Sequence, residues 1–300
     1  MQAISHPTQA IHPSWYPSSA KSVTTLSEKV YTIYFQAVKN FIDLTTRMHA
    51  RPFGLVAGTL LLEFAPAMKS TIRRLCYHKE PTHYGFNQFT PEHQGKSPAI
   101  LLHGRMGKWQ DVAALAEELK KAHIPVFLLN VKRSECISEQ ERTNINNEIT
   151  RIQNLYTATF QEQAPAVDLI GHSFGGDLSF STSFSIDSTT IDDSQPEILR
   201  RDRFQIMEGK NPTANPLVGK VITIGMPSDA KEVAWAKAAG TAHQLYNVVA
   251  KYDAIVRDKV SALGDEFPQN VLEVNAGHLG ILNTTTYKHI VKWLSQGEAS

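Results

Sequence analysis

Ala166-Val-Asp-Leu-Ile-Gly-His-Ser-Phe-Gly-Gly176 is the stretch that decides the fold of this 300-residue chain. Its apolar first part is typical of a buried strand, and its end favours a helix. Gly171 and Gly175 flank Ser173 in the pattern G-x-S-x-G, where a strand turns so sharply into a helix that a Cβ at either glycine would collide. We predict that this turn lifts the Ser173 hydroxyl clear of the sheet and points the Phe174 N–H toward a forming oxyanion.

Apolar runs on both sides of this turn predict a parallel sheet. A continuous run such as Ala99–Leu102 is expected of a strand buried on both faces, and segments of helical periodicity separate it from later runs. In chain order the predicted elements are a strand at 99–102, a helix at 109–119, a strand at 124–129, a helix within 137–160, the strand before Ser173, a strand at 220–225, a short helix at 232–239, strands at 245–249 and 270–275, and a helix at 283–294. This alternation predicts a doubly wound, mostly parallel α/β sheet.

Changes in composition divide the chain into a lead, an N-terminal extension and a core that contains an insertion. Residues 1–24, which contain three prolines and no apolar segment, are predicted to form a disordered lead. An N-terminal helical and apolar extension is predicted over 25–97, followed by the core at 98–300. Within the core, the polar residues from about 177 to 218 interrupt the alternation. They predict an insertion after the helix that follows the serine, either a lid or a loop with no part in binding.

The N-terminal extension contains an apolar segment, Phe53–Met68, in which Glu63 is the only charge. A membrane-spanning helix needs about 20 apolar residues, so this segment is too short to be one. Two interpretations remain open. The segment is a buried helix or hairpin packed on the core, or it makes a peripheral membrane contact through about 53–74, where Arg73 and Arg74 would suit anionic head groups.

The overall composition argues against several classes of partner. A net charge of +1 gives no reason to expect nucleic acid as a partner. Cys76 and Cys136 lie in no metal or redox spacing, so no metal or cofactor is expected. Residues 1–20 contain no cationic segment followed by an apolar one, so no Sec signal peptide is expected, although a non-Sec export route would leave no such trace. We expect a cytoplasmic or peripherally membrane-associated protein.

Three residues follow predicted strands in an order that suits nucleophilic catalysis: Ser173, Asp253 and His278. In an open parallel sheet, ligands bind outside the carboxyl ends of the strands, where these residues would meet. A serine needs an imidazole to take its proton, and the imidazole needs a carboxylate to fix its tautomer and stabilise the imidazolium. We therefore predict Ser173 as nucleophile, Asp253 as acid and His278 as base.

Competing candidates for the acid and the base remain open at this stage. Asp229 also follows a predicted strand and is the alternative acid, whereas Asp258 is interpreted as a solvated charge. Four other histidines lie near predicted strand ends or in the last helix and are weaker candidates for the base: His103, His172, His243 and His289. Of these, His172 is expected to point away from the nucleophile, and His103 is expected to order the loop after the first strand.

With these residues in place, the chain from about 98 to 294 resembles the α/β-hydrolase superfamily, and within it the lipase and esterase branch. The stretches that carry the resemblance are His103-Gly104, Gly171-His-Ser-Phe-Gly175, Thr223-Ile-Gly-Met-Pro227, Tyr252-Asp-Ala-Ile-Val256 and Gly277-His-Leu279. The resemblance implies that the backbone N–H groups of Phe174 and Arg105 form the oxyanion hole. Arg105 departs from the apolar residue that lipases often have there, which suggests that it meets a phosphate or carboxylate on the substrate.

The resemblance implies a serine hydrolase that cleaves a carboxylic ester through an acyl-enzyme on Ser173. The apolar N-terminal segment and the predicted lid suggest a lipid-derived ester, so the expected partner is a small-molecule or lipid ester. An acyltransferase or a thioesterase would use the same three residues. The alternative from another class is a non-catalytic protein of the same fold that binds a lipid or a protein.

Overall fold

A central sheet of six strands organises the computed structural model, which describes residues 66–68, 70–105, 107–131, 139–185, 212–253, 256 and 261–296. The strands in chain order are β1 (Ala99–Leu102), β2 (Val126–Leu129), β3 (Val167–His172), β4 (Phe184–Ser185), β5 (Thr213–Ala214), β6 (Val218–Ile224), β7 (Leu245–Ala250) and β8 (Val271–Val274). The helices are α1 (Trp109–Lys121), α2 (Glu139–Phe160), α3 (Phe174–Thr182), α4 (Ala230–Ala238) and α5 (Thr284–Ser295).

The sheet has the strand order β2-β1-β3-β6-β7-β8, and every neighbouring pair is parallel. One hydrophobic cluster joins α1 and α5 to one face, and a second joins α2, α3 and α4 to the other face. Helices on both faces explain why the strands read as continuous apolar runs, since neither face meets water. The predicted doubly wound sheet is confirmed, and a central strand that ends in the serine turn makes this the α/β-hydrolase fold.

The helix after the serine extends past the predicted start of the insertion. We expected the insertion to begin at about 177, but α3 continues to Thr182. The two short strands β4 and β5 then pair antiparallel, with Phe184 opposite Ala214. Residues 177–182 therefore belong to the core. Most of the predicted lid, 186–211, lies outside the described residues, and its role stays a prediction.

Only the last part of the N-terminal extension can be described. The predicted lead and most of the apolar segment lie outside the described residues. Residues 66–68 and 70–76 are helical, and Met68, Ile72 and Leu75 are exposed there at helical spacing. In the part of the chain that the structure describes, no helix has both the length and the apolar character needed to cross a membrane. Peripheral membrane contact through 53–74 stays a prediction.

The turn from β3 into α3 depends on two glycines that allow backbones to meet. A Cβ on Gly171 would lie 2.0 Å from the carbonyl oxygen of Gly175, and a Cβ on Gly175 would lie 2.6 Å from the carbonyl oxygen of Leu102. Both obstacles are backbone atoms and cannot rotate away. Any other residue at either position would have to displace the helix that carries the site from the sheet.

We expect Gly171→Ala to lower the free energy of unfolding by more than about 3 kcal/mol, because overlap with backbone is one of the few causes of very large losses. Gly264→Ala is the control, since its new Cβ would make only an ordinary 3.7 Å contact with Val271. Urea unfolding followed by circular dichroism measures both. Equal stability of the two variants would show that the turn is not as tight as described.

Candidate active site

Ser173 stands at the end of β3 in a backbone conformation that side chains rarely adopt. Its φ is 54° and its ψ is −125°. The strain is held from both sides: the Ser173 N–H donates to the Ile224 carbonyl at 2.8 Å, and its own carbonyl accepts from the Gly176 N–H at 2.7 Å. Such conformations persist only where the surroundings impose them, and they concentrate at active sites. The predicted turn therefore presents this side chain at the carboxyl edge of the sheet.

His278 and Asp253 form a buried pair after strands β8 and β7. The His278 Nδ1 lies 2.7 Å from Oδ2 of Asp253, and the side chains are 3% and 4% exposed. The other carboxylate oxygen of Asp253 accepts from the Val256 N–H at 2.8 Å. Because an ionised carboxylate can only accept, Nδ1 of His278 carries a proton and the neutral ring has its lone pair on Nε2. That is the tautomer that a general base needs.

His172 supports this pair through a hydrogen bond to the backbone of His278, whereas the sequence indicated only that it points away from the serine. Its Nε2 lies 3.0 Å from the carbonyl oxygen of His278 and so donates to it, and the two imidazole rings are 5.0 Å apart between centroids. Burial and the neighbouring His278 lower the pKa of His172 to about 4. A neutral ring at this place supports the loop of His278 without a competing positive charge.

The loop after β1 passes close to the serine. Two donors hold the Gly104 carbonyl, His103 Nδ1 and the Gly107 N–H, each at 2.8 Å. A trans peptide directs its N–H opposite to its carbonyl, so the Arg105 N–H points away from this loop interior. A Cβ on Gly104 would come within 3.3 Å of the Ser173 Cβ, which shows how closely the peptide approaches Ser173.

His103 holds this loop through hydrogen bonds of both ring nitrogens. Its second ring nitrogen, Nε2, accepts the Val131 N–H at 3.0 Å, which leaves the proton on Nδ1 for the Gly104 carbonyl. Burial lowers the pKa of His103. As the first residue of α3, Phe174 has no intrahelical acceptor for its N–H, the second donor expected at an oxyanion hole. The Arg105 guanidinium lies over the Phe174 ring, 5.4 Å from its centroid.

A cavity of about 680 Å³ lies against the serine and both histidines, His172 and His278. This volume is typical of small-molecule sites. Its walls come from the loop after β1, the start of α3, the loop of His278 and the N-terminal helical segment. The residues of that last segment that line it are Pro66, Ala67, Ser70, Thr71, Arg73 and Arg74. The N-terminal extension is therefore part of the site, which sequence reasoning had left open.

The competing acids and bases have other partners or positions. Asp229 caps α4, where its carboxylate accepts the Glu232 N–H at 2.8 Å. His289 packs on Trp293 with ring centroids 4.7 Å apart, and His243 is exposed before β7. The geometry thus joins His278 to Asp253. Asp258 and Cys136 lie outside the described residues.

An asparagine that sequence reasoning missed connects strand β6 with the segments that follow β6 and β7. Asn247, fully buried in β7, accepts from the Ser228 N–H at 3.0 Å and from the Ser261 hydroxyl, and donates to the Thr223 hydroxyl at 2.9 Å. Thr223 in turn donates to the Met226 carbonyl at 2.6 Å. A lone amide in the apolar run of β7 was the available signal, since a buried amide needs partners.

In the described part of the chain, no group of three or more His, Cys, Asp and Glu side chains has the geometry to hold a metal ion. Cys76 is a half-buried free thiol. The chemistry of this site therefore depends on three features. They are the His278 imidazole held by Asp253, the Ser173 hydroxyl presented by the turn, and nearby backbone N–H groups.

No protein-family model and no curated protein matches this chain. Solved structures resemble it at low identity. A truncated carbohydrate esterase from gut microbiota is 14% identical with a TM-score of 0.43, covering 68% of this chain and 87% of that chain. The 2,6-dihydroxy-pseudo-oxynicotine hydrolase is 11% identical with a TM-score of 0.40, covering 89% and 86%. The type II thioesterase BorB from the borrelidin biosynthetic cluster is 13% identical with a TM-score of 0.35, covering 69% and 96%.

We expect the buried His172 to make the protein less stable in acid. Its pKa is about 4 in the folded chain against 6.5 for the ordinary group, so the unfolded chain binds more protons between these values. The contribution of His172 to the free energy of unfolding should therefore fall as the pH drops from 6.5 toward 4, by at most about 3 kcal/mol. Above pH 6.5 this contribution should stay constant.

The comparison with His172→Gln isolates this contribution, because all carboxylates titrate equally in both proteins. Urea unfolding at pH 7.5, 6, 5 and 4.5 should give a shallower pH dependence for the variant. Parallel curves would contradict the burial of a neutral His172.

Proposed function

We infer that this chain is a serine hydrolase that cleaves a carboxylic ester through an acyl-enzyme on Ser173. The observation that carries the proposal is the buried His278–Asp253 pair, 2.7 Å between Nδ1 and Oδ2, because His278 lines the same cavity as the strained serine. A serine is a weak nucleophile near neutral pH and gains from a base that is itself oriented by a carboxylate. The fold alone would not support an activity, since it carries many.

In the proposed first step, Nε2 of His278 takes the proton from the Ser173 hydroxyl while the oxygen attacks the ester carbonyl. The negative charge that forms on the carbonyl oxygen meets the N–H groups of Phe174 and Arg105. One such donor contributes about 3 kcal/mol to the transition state. Asp253 stabilises the imidazolium, which is worth more in a buried site than in water.

In the second part, the tetrahedral intermediate collapses and the bond to the alcohol breaks. His278 returns its proton to the departing alkoxide, which leaves as an alcohol, and Ser173 keeps the acyl group. Water then attacks the acyl-enzyme while His278 takes its proton. As the bond to the serine oxygen breaks, His278 returns this proton to Ser173 and the acid leaves. An acyltransferase would differ only in using another acceptor than water, and product analysis separates the two.

The size of the cavity favours a small or medium ester. The proposed substrate class stays a carboxylic ester, with a lipid-derived ester as one member. Apolar side chains such as Leu279, Leu282 and Met226 line the cavity together with polar and charged ones. This mixed lining suits an acyl chain that also carries a polar group, in line with the usual composition of ligand sites.

We expect purified protein to react covalently with a fluorophosphonate, and the label to be absent in Ser173→Ala and strongly slowed in His278→Ala. The reagent reports an activated serine without assuming a substrate. Nitrophenyl esters of increasing acyl length then place the activity between esterase and lipase. A folded protein that neither labels nor hydrolyses any of these esters would instead fit a non-catalytic binding protein.

We expect Asp253→Asn to lower kcat for a nitrophenyl ester by roughly 10⁴-fold, because the amide no longer holds the required imidazole tautomer. Asp229→Asn is the matched control, since asparagine also caps helices well, and its kcat should stay within about twofold of the parent. Steady-state kinetics at pH 7.5 measure both. A large loss in the control and little loss in Asp253→Asn would transfer the role of the acid to Asp229.

A further inference from the structure

Arg73 is a buried guanidinium on the cavity wall whose described partners are all neutral. Arg73 is only 7% exposed, and it lines the same cavity as Ser173. One terminal nitrogen donates to the backbone carbonyl of Asp111 at 3.2 Å, and the other donates to the Tyr287 hydroxyl at 3.5 Å. Its Nε has no hydrogen-bond partner among the described residues. A guanidinium stays charged at any pH at which proteins fold.

The carboxylate of Asp111, the residue whose backbone carbonyl Arg73 contacts, already accepts from other donors. The Asp111 oxygens accept from the Ser70 hydroxyl, twice from Arg74 at 3.1 and 2.8 Å, and from the Lys108 N–H at 3.0 Å. Four bonds fill the capacity of a carboxylate. Burial alone would raise the pKa of Asp111, but the bonds from Arg74 and Ser70 outweigh it and hold the pKa below its usual value. Asp111 thus neutralises Arg74, not Arg73.

Among the described residues that line the cavity, positive charges outnumber negative ones. Three arginines, Arg73, Arg74 and Arg105, face two aspartates, Asp111 and Asp177, and His172 is neutral near pH 7. A buried cation without an anion is costly, and the cost is removed when a ligand brings an anion into the same low-dielectric space. A guanidinium fork also matches the oxygens of a carboxylate or phosphate.

We propose that Arg73 binds an anionic group of the substrate, a carboxylate or a phosphate, so that the enzyme prefers esters that carry a negative charge. This inference rests on the proposed function, which makes the substrate an ester. The preference for a negative charge rests on Arg73. It transfers to Arg73 the role that the sequence suggested for Arg105, whose guanidinium lies over the Phe174 ring at an exposed position. The substrate would present its carbonyl to Ser173 and its anion to the wall built by the N-terminal segment.

Matched ester pairs test the preference and separate its two sources. The carboxylate arm compares 4-nitrophenyl hydrogen glutarate with 4-nitrophenyl valerate, which have acyl chains of equal length. The phosphate arm compares 1-butyrylglycerol 3-phosphate with 1-butyrylglycerol. We expect kcat/KM of the parent to favour the anionic ester about tenfold to a hundredfold in one arm, mainly through KM, as for a charge-assisted pair.

Substitutions then assign the preference to one side chain. Arg73→Gln should abolish it and Arg73→Lys should keep part of it, because the lysine retains the charge without the fork. Arg151→Gln removes the same charge from α2, where Arg151 pairs with Glu148 outside the cavity, and should leave the preference unchanged. An equal loss for both members of a pair would make Arg73 structural and overturn the proposal.

A binding measurement that needs no catalysis distinguishes failure of this proposal from failure of the proposed function. Calorimetric titration of Ser173→Ala with glutarate and with inorganic phosphate should show binding of one of them, at least tenfold weaker when Arg73→Lys is added. Such binding without turnover of any ester would reject the hydrolase and support the anion site. Turnover without charge preference or anion binding would support the hydrolase and reject the anion site.

Glu63 provides the remaining check, since it lies outside the described residues and is the only charge of the apolar segment. If its carboxylate neutralised Arg73, the parent would bind neither glutarate nor phosphate, whereas the Glu63→Gln variant would bind one of them. That result would overturn the proposal. Unchanged anion binding in Glu63→Gln supports it.

Discussion

The close approach of helix α3 to strand β3 is the constraint on which the rest of the site depends. At Gly171 and Gly175 the two backbones meet with no space for a Cβ. This contact imposes the unusual φ of Ser173 and places its side chain above the carboxyl edge of the sheet. All six strands are parallel, so the loops after β1, β7 and β8 open at the same edge and bring their residues to the serine.

Buried ionisable groups around the serine are accommodated in three different ways. Asp253 has hydrogen-bond donors on both carboxylate oxygens, His278 and the Val256 N–H. His172 gives up its proton, since burial lowers its pKa to about 4. Arg73 stays charged, because a guanidinium does not deprotonate, and its described partners are neutral oxygens. In a low-dielectric cavity this difference makes Arg73 the group with most to gain from an anionic ligand.

Asp111 explains how an extension outside the α/β core becomes part of the site. It lies in the first turn of α1, where the helix dipole favours a negative charge. From there it binds Ser70 and Arg74 of the N-terminal helical segment. The buried Arg73 adds a bond to the Tyr287 hydroxyl of α5. One carboxylate at a helix end therefore attaches the segment that forms a wall of the cavity.

The sequence by itself determined the features that contiguous residues encode. The steric demand of G-x-S-x-G, the apolar runs of the buried strands and the periodicity of the helices are local, so they predicted the serine turn and the doubly wound sheet. Only the tertiary structure decided which residues meet across the sheet. His278 pairs with Asp253, 25 residues away, while Asp229 caps a helix. The bond from His172 to the His278 loop spans 106 residues, and that from Arg73 to Tyr287 spans 214. Such contacts depend on strand order and loop paths, which no local pattern specifies.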